Sequence, residues 1–157
     1  MSEINIATES DISAIQHVAS ASWRVTYKGI FDKEYIDTCL RDWYSAESLR
    51  RTLSNPKMYF LVAVDAGEVT GFCQVGPGQI EGELYRLYVL PSHWRKGTGS
   101  QMLVQAEDWL RQQGFNSYGC FVHEQNEVGK RFYARQAFVS DPDRDDGDEL
   151  FLWKKLK

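Results

Sequence analysis

The sequence predicts a mixed α/β or α+β domain, and three observations carry that expectation. Apolar residues near the N-terminus recur at three- and four-residue steps, as in a packed helix. The middle of the chain holds β-branched runs punctuated by turn residues. After that, strand-like and helix-like stretches alternate. The 157 residues suit a single domain, 1–157, with enough chain to bury about two-thirds of its unfolded surface. No internal repeat and no linker-like run divides it.

Taken in order, residues 3–8 read as a short first strand. Thr8, Glu9, Ser10 and Asp11 fit a capping box. Ile12, Ile15, Ala19, Trp23, Tyr27 and Ile30 then mark the buried stripe of a helix that Gly29 ends. A second helical stretch, with room for a break, runs from about Asp32 to Leu53 and closes at Asn55-Pro56. Residues 58–65 read as a strand, Asp65-Ala66-Gly67-Glu68 as a turn, and 69–75 as the antiparallel partner. Gly76-Pro77-Gly78 is a loop. Residues 84–90 form a nearly continuous apolar strand stopped by Pro91, a pattern expected where both faces are covered. A further helix presents Met102, Leu103, Ala106, Trp109 and Leu110 on one stripe. Gly114 ends it, with Phe115 folding back on Leu110. Residues 117–122 form a strand, and Asn126 caps a helix reaching about Gln136. Phe138-Val139 begins a strand, 141–149 is a loop, and 150–153 is the last strand.

Composition narrows the class of function. The charged share of 25% and hydrophobic share of 43% are ordinary for a globular protein. The net charge of −4 argues against nucleic acid as a partner, which would call for a basic face. The N-terminus carries early acids and no apolar core segment, unlike a signal peptide. No apolar run is long enough to cross a bilayer, so no membrane partner is expected. Cys39, Cys73 and Cys120 are odd in number and widely spaced, which reads as buried small hydrophobes in a reducing, cytoplasmic setting. Neither they nor His17, His93 and His123 have metal-ligand spacing.

One stretch departs from the acidic background: His93-Trp94-Arg95-Lys96-Gly97-Thr98-Gly99-Ser100, at the start of a helix. It is not a nucleotide-triphosphate loop, since no Gly-Lys-Ser/Thr occurs. It is not a dinucleotide fingerprint, since Met102 stands where the third glycine belongs. The physics of an anion site is nevertheless present. Gly97 and Gly99 let the backbone turn and approach a ligand, the following helix offers free N–H groups and a positive dipole end, and Arg95 and Lys96 add charge. A pyrophosphate site fits, as does an ordinary strand-to-helix turn with solvated cations.

The surrounding residues resemble a known family. Leu87-Tyr88-Val89-Leu90-Pro91 followed by Gly97-Thr98-Gly99 is similar to motif A of the GNAT superfamily of N-acetyltransferases. Trp94 stands where Gln or Arg is commonest. Downstream, Val122, Asn126, Gly129, Phe132, Tyr133, Ala137 and Phe138 match a second family pattern, with Gly129 and Ala137 exchanging one small residue for another. Trp23, Tyr27, Gly29 and Ile30 resemble a bacterial branch of the same superfamily. Together these cover nearly the whole chain.

The resemblance implies a GNAT fold: a central mixed, mostly antiparallel sheet flanked by helices, with its fourth and fifth strands splayed apart. It implies acetyl-CoA as donor, no metal, and an amine acceptor, whether small molecule, polyamine or peptide. Homodimers are frequent in the family. The amides of residues 95–100, namely Arg95, Lys96, Gly97, Thr98, Gly99 and Ser100, would cradle the pyrophosphate. The backbone of Leu87 and Val89 would pair with the acetyl carbonyl and pantetheine, and Asn126 would contact that arm while capping its helix. Tyr133 would give a hydrogen bond or proton to the leaving thiolate. Glu83, at the start of the central strand, would be the base; otherwise it is only a strand-end carboxylate. His123 is an alternative proton carrier. Trp23, Tyr27, Phe31 and Tyr35 would cover the acceptor site, though core packing also explains them. Residues 141–149 hold six acids and one Arg. By default they form a solvated loop, but facing the acceptor site they would favour a cation. The competing reading is a GNAT-fold module that binds acyl-CoA without catalysis, as a sensor or scaffold.

Overall fold

The first helix begins where the capping residues place it. In the computed structural model, which describes residues 2–157, the Thr8 N–H donates to the Asp11 carboxylate at 2.8 Å. One tight helical turn, Glu9–Asp11, precedes helix α1 (Ile12–Thr26). That helix buries Ile12, Ile15, Val18, Ala19 and Trp23 on a single stripe. Gly29, at φ +81°, then reverses the chain. A left-handed backbone of this kind is costly for a side chain with a Cβ.

The second helical stretch is two helices, α2 (Lys33–Trp43) and α3 (Ala46–Ser54). Asp32 caps α2 by accepting from Tyr35 N at 2.7 Å, and Ser45 caps α3 by accepting from Ser48 N at 3.0 Å. The second cap satisfies a new helix's free N–H groups, so the chain can change direction between Trp43 and Ala46.

Seven strands match the predicted runs to within two residues at each end, β3 taking in Gly76 and Pro77 of the expected loop and β1 stopping two residues short: β1 (Glu3–Ile6), β2 (Tyr59–Asp65), β3 (Glu68–Pro77), β4 (Gly82–Val89), β5 (Ser117–His123), β6 (Val139–Ser140) and β7 (Glu149–Lys155). Helix α4 (Thr98–Gln112) connects β4 to β5, and α5 (Glu127–Arg135) follows β5. The sheet order is β1-β2-β3-β4-β5-β7-β6. All neighbours are antiparallel except β4 and β5. That parallel pair is joined only at Gly82–Tyr118 and Glu83–Gly119, beyond which the two strands part.

The two faces of the sheet carry two cores. Phe60, Val62 and Phe72 face α1 to α3, while Leu61, Ala63, Cys73 and Val75 face α4 and α5. The period-two alternation of β2 and β3 sorts these residues. The apolar run 84–90 serves both sides, with Tyr88 against the first core and Leu87 and Val89 against the second. Those three residues are nonetheless only partly buried, because the flank beside them is the gap left by β5. A bulge between Gln74 and Val75 leaves Tyr85 without a register partner. On the second face, Tyr118 donates to buried Glu107 at 2.5 Å and Lys154 pairs with it at 2.8 Å, tying α4 to β5 and β7. Among the described residues, no helix is long and apolar enough to cross a membrane.

Candidate active site

The site starts from the open edge of β4. Leu90 N–H donates to Thr70 O on the β3 side at 2.8 Å. Strand alternation therefore turns the peptide groups of Tyr88 toward β3 and those of Leu87 and Val89 toward the gap. Trp94 Nε1 donates to Val89 O at 2.8 Å and so takes that carbonyl for itself. The residue that departs from motif A thereby pins the glycine loop to the end of β4. The Leu87 N–H and C=O and the Val89 N–H remain facing the gap. Backbone groups left unpaired on a strand edge are ready to pair with amides of a ligand.

The gap opens into a cleft of about 1130 Å³. At one end lies the start of α4. Gly97, at φ +84°, caps the helix with no capping side chain, so the first-turn N–H groups of Thr98, Gly99 and Ser100 point out of the helix end. A Cβ on Gly99 would stand 3.0 Å from two ring carbons of Phe132, so its bareness lets α5 pack directly on this loop. Gln136 adds a second tie, donating to Ser100 Oγ at 2.7 Å. Asn126 caps α5 by accepting from Gly129 N at 2.9 Å.

Leu87, Val89, Arg95, Gly97, Thr98, Gly99, Ser100, Asn126 and Tyr133 all line the cleft. Lys96 is exposed and lies outside that lining. Two cations that sequence reasoning missed, Arg131 and Arg135, line it as well. Their four-residue spacing puts them on one face of α5. The chain pattern alone does not say that this face meets the α4 loop; the Phe132–Gly99 contact does. The α5 ion pair is made by Lys130 with Glu127 at 3.1 Å, which leaves Arg131 and Arg135 unpaired among the described residues. Replacing both by Ala is expected to raise KM for acetyl-CoA roughly tenfold, more so at low salt, with kcat nearly unchanged. Initial-rate kinetics across a salt series measure it.

Tyr133 is buried where β4 and β5 part, beside Cys120. Burial holds its phenol well above the usual range, with Cys120 adding to the effect, so it stays a proton donor through neutral pH. Glu83 is the last β4 residue paired with β5, and the cleft lining begins at the next residue, Leu84. Burial raises the Glu83 carboxyl above its ordinary range, with Arg144 pulling it down and Glu81 pushing it up.

The other end of the cleft is aromatic. Trp23, Tyr27, Phe31 and Tyr35 form a chain of rings with centroids 4.6, 5.1 and 4.8 Å apart. Trp23 and Tyr27 serve the first core and line the cleft at once, and Phe31 and Tyr35 line it as well. Tyr27 and Tyr88 share a hydrogen bond at 2.9 Å. Trp23 Nε1 and Gln74 Oε1 are buried without a partner among the described residues. The acidic segment 141–149 is only partly a solvated loop. Arg144 pairs with Glu81 at 2.5 Å and lies 4.0 Å over the Phe151 ring. Asp146 and Glu149 line the cleft.

A splayed strand edge that ends at a helix start with free N–H groups suits a long, amide-bearing thioester with a pyrophosphate tail. The fold and the site together define an acyl-CoA-dependent transferase. Residues 15–138 match the family described as Acetyltransferase (GNAT) family, and the chain belongs to it. It is 35% identical over 160 residues to spermidine N(1)-acetyltransferase of Thermoplasma acidophilum, covering 99% of this chain and 98% of that one. It superposes with a TM-score of 0.93 on a PaiA N-acetyltransferase from Thermoplasma acidophilum solved in complex with coenzyme A, at 32% identity and 99% coverage of both. Ribosomal-protein-S18-alanine N-acetyltransferase of Escherichia coli shares the fold at 15% identity, with a TM-score of 0.72 over 100% of this chain and 95% of that one. This protein is an acetyl-CoA-dependent N-acetyltransferase acting on an amine. Nothing in these relatives supports the reading of a module that binds acyl-CoA without catalysis.

Proposed function

We propose that the enzyme acetylates a primary amine of a polyamine, by direct transfer within a ternary complex in the cytoplasm. One observation carries this reading. The cleft has unpaired arginines at its glycine-loop end, while its two carboxylates, Asp146 and Glu149, belong to the segment facing the aromatic end, where Arg86 is held over the Tyr44 ring and donates to Trp43 O. An anionic donor and a cationic acceptor suit that separation of charge. The spermidine acetyltransferase relative supports the same class of acceptor.

Acetyl-CoA supplies an acyl group already activated as a thioester. The first-turn amides of residues 97–100, with Arg95, hold the pyrophosphate, Lys96 contributing charge from the rim. The Leu87 and Val89 peptide groups align the pantetheine, and an N–H on this edge polarises the acetyl carbonyl. Asn126 fixes the start of α5 against that arm. Glu83 takes the acceptor's proton, directly or through a water, so that the amine lone pair can attack. The C–N bond forms, the C–S bond breaks, and the Tyr133 phenol supplies the hydrogen bond or proton that the departing thiolate needs. Direct transfer fits the cysteines. All three are buried, and burial pushes the Cys73 thiol up to about 12 and the Cys120 thiol higher, far from a ready nucleophile.

An amine panel with acetyl-CoA, read as release of free thiol, tests the function. Polyamines and diamines are expected to turn over with intersecting double-reciprocal lines. Parallel lines, or no turnover of any amine, would contradict the reading. Glu83→Gln separately tests the base. A carboxylate base works only when ionised, and the raised Glu83 carboxyl is fully ionised at higher pH than an ordinary one. The variant's deficit should therefore be largest between the Glu83 titration and that of the amine, closing at lower pH as wild-type Glu83 is protonated and at higher pH as the amine deprotonates unaided. A pH profile identical to wild type removes Glu83 from the role.

A further inference from the structure

We propose that Glu149, flanked by His123 and Asp146, holds the acceptor's second, non-reacting ammonium group, and so makes the enzyme prefer diamines and polyamines to monoamines. The proposal rests on the acetyl-transfer reading above and adds the residues that read the substrate's second charge.

Strand register sets the arrangement. Glu149 is the antiparallel partner of His123, so their side chains share a face with Cβ atoms about 5 Å apart. On its other side Glu149 exchanges both backbone hydrogen bonds with Asp146, each at 2.9 Å, across a two-residue turn whose Gly147 has φ +59°. The same rule puts Asp146 on that face too. The result is a row of His123, Glu149 and Asp146, and all three line the cleft. Two carboxylates held opposite each other across a tight turn repel unless a cation joins them. Burial, together with the charges of Asp148 and Asp146, holds the Glu149 carboxyl above its usual range, with His123 opposing them.

His123 closes one end of that row. It is only 8% exposed, and its Nδ1 accepts from Gln125 N–H at 3.0 Å. A backbone N–H can only donate, so the ring proton sits on Nε2. Nε2 has no partner among the described residues, although the ring lines the cleft. In this tautomer Nε2 is a donor, which leaves the carboxylates of Glu149 and Asp146 as the acceptors in the row. Phe31 stands edge-on to the imidazole at 5.1 Å, with Tyr35 4.8 Å beyond. Tyr27 adds a third ring, 5.1 Å from Phe31 and in the cleft lining. Aromatic faces beside carboxylates accept methylenes and an ammonium together.

The stretch of wall around Arg86 disfavours a second cation. There the Arg86 guanidinium lies 4.6 Å over the Tyr44 ring and donates to Trp43 O at 3.0 Å. A second positive charge would be repelled from that wall and drawn to Glu149.

The test compares putrescine with n-pentylamine, acceptors of equal length in which a methyl group replaces the second ammonium. Wild-type enzyme is expected to favour putrescine in kcat/KM by about tenfold or more, the effect of one charge-assisted hydrogen bond. Glu149→Gln should cut that preference about tenfold, mainly through KM for putrescine, and Asp146→Asn should cut it less. Glu149→Asp should restore part of it. A thermal melt and acetyl-CoA affinity establish that each variant is folded. Equal loss on both amines in Glu149→Gln, or a wild-type enzyme that acetylates both equally well, overturns this inference while leaving acetyl transfer standing. Turnover of no amine at all, spermidine included, overturns both readings.

Discussion

Tyr133→Phe is expected to lower kcat about a hundredfold while KM for acetyl-CoA stays nearly constant. A positioned acid or hydrogen-bond donor contributes about a hundredfold to ten-thousandfold in comparable settings, and the lower figure applies because water can still protonate a thiolate. The substitution removes one oxygen and keeps the ring. That ring packs between Phe132 and Phe138, at centroid distances of 5.3 and 5.2 Å, and Phe makes the same contacts. The loss should therefore appear in chemistry rather than in binding or folding. Because burial holds the phenol well above its ordinary range, wild-type activity should not fall at mildly alkaline pH through loss of this proton. Steady-state kinetics with a thermal melt on the same preparation check both points. An unchanged kcat would remove Tyr133 from the mechanism.

Gly119→Val should destabilise the fold by about 3 kcal/mol, the upper part of the range for overpacking a filled interior. For a chain of this size that corresponds to a drop in Tm of about 6–12 °C. Gly119 pairs with Glu83 at the point where β4 and β5 separate, so it marks the root of the cleft. A Cβ there would overlap Cζ of Phe151 and stand 2.8 Å from Cε1 of the same ring. The Phe151 ring has nowhere to go. It is buried, meets Phe121 at 5.1 Å, carries the Arg144 guanidinium 4.0 Å above it, and its N–H is held by Asp145 at 2.7 Å. Differential scanning calorimetry measures the shift. A variant as stable as wild type would mean that β5 and β7 can slide apart at no cost, contrary to the packing described.

How much of this was legible in the sequence follows from how local each signal is. The capped starts of α1 and α5, the turn at Gly67 and the glycine loop before α4 are each decided within a few residues, and the structure has them in place. The break at Ser45 was open in the sequence because Tyr44 and Ser45 interrupt an otherwise continuous helical spacing only briefly. The face of α5 carrying Arg131 and Arg135 could not be assigned to the phosphate end, because that depends on Phe132 resting on Gly99 from another helix. Glu149 was visible only as one acid among six. Its place beside His123 comes from a strand register spanning residues 123 to 149, which no local pattern encodes. Trp94 looked like a flaw in motif A, and its hydrogen bond to Val89 shows it anchoring the loop instead. Arg144 looked like a solvated charge, yet it closes the base of the acidic segment on Glu81 and Phe151.

The central claim is that this cleft moves an acetyl group from CoA to a polyamine nitrogen. The most direct measurement is mass spectrometry of purified enzyme incubated with acetyl-CoA and spermidine. Monoacetylated polyamine should form in equal amount to free CoA, with no acetyl group left on the protein. Bound acetyl-CoA with unmodified polyamine, or an acetylated enzyme in place of product, would contradict it.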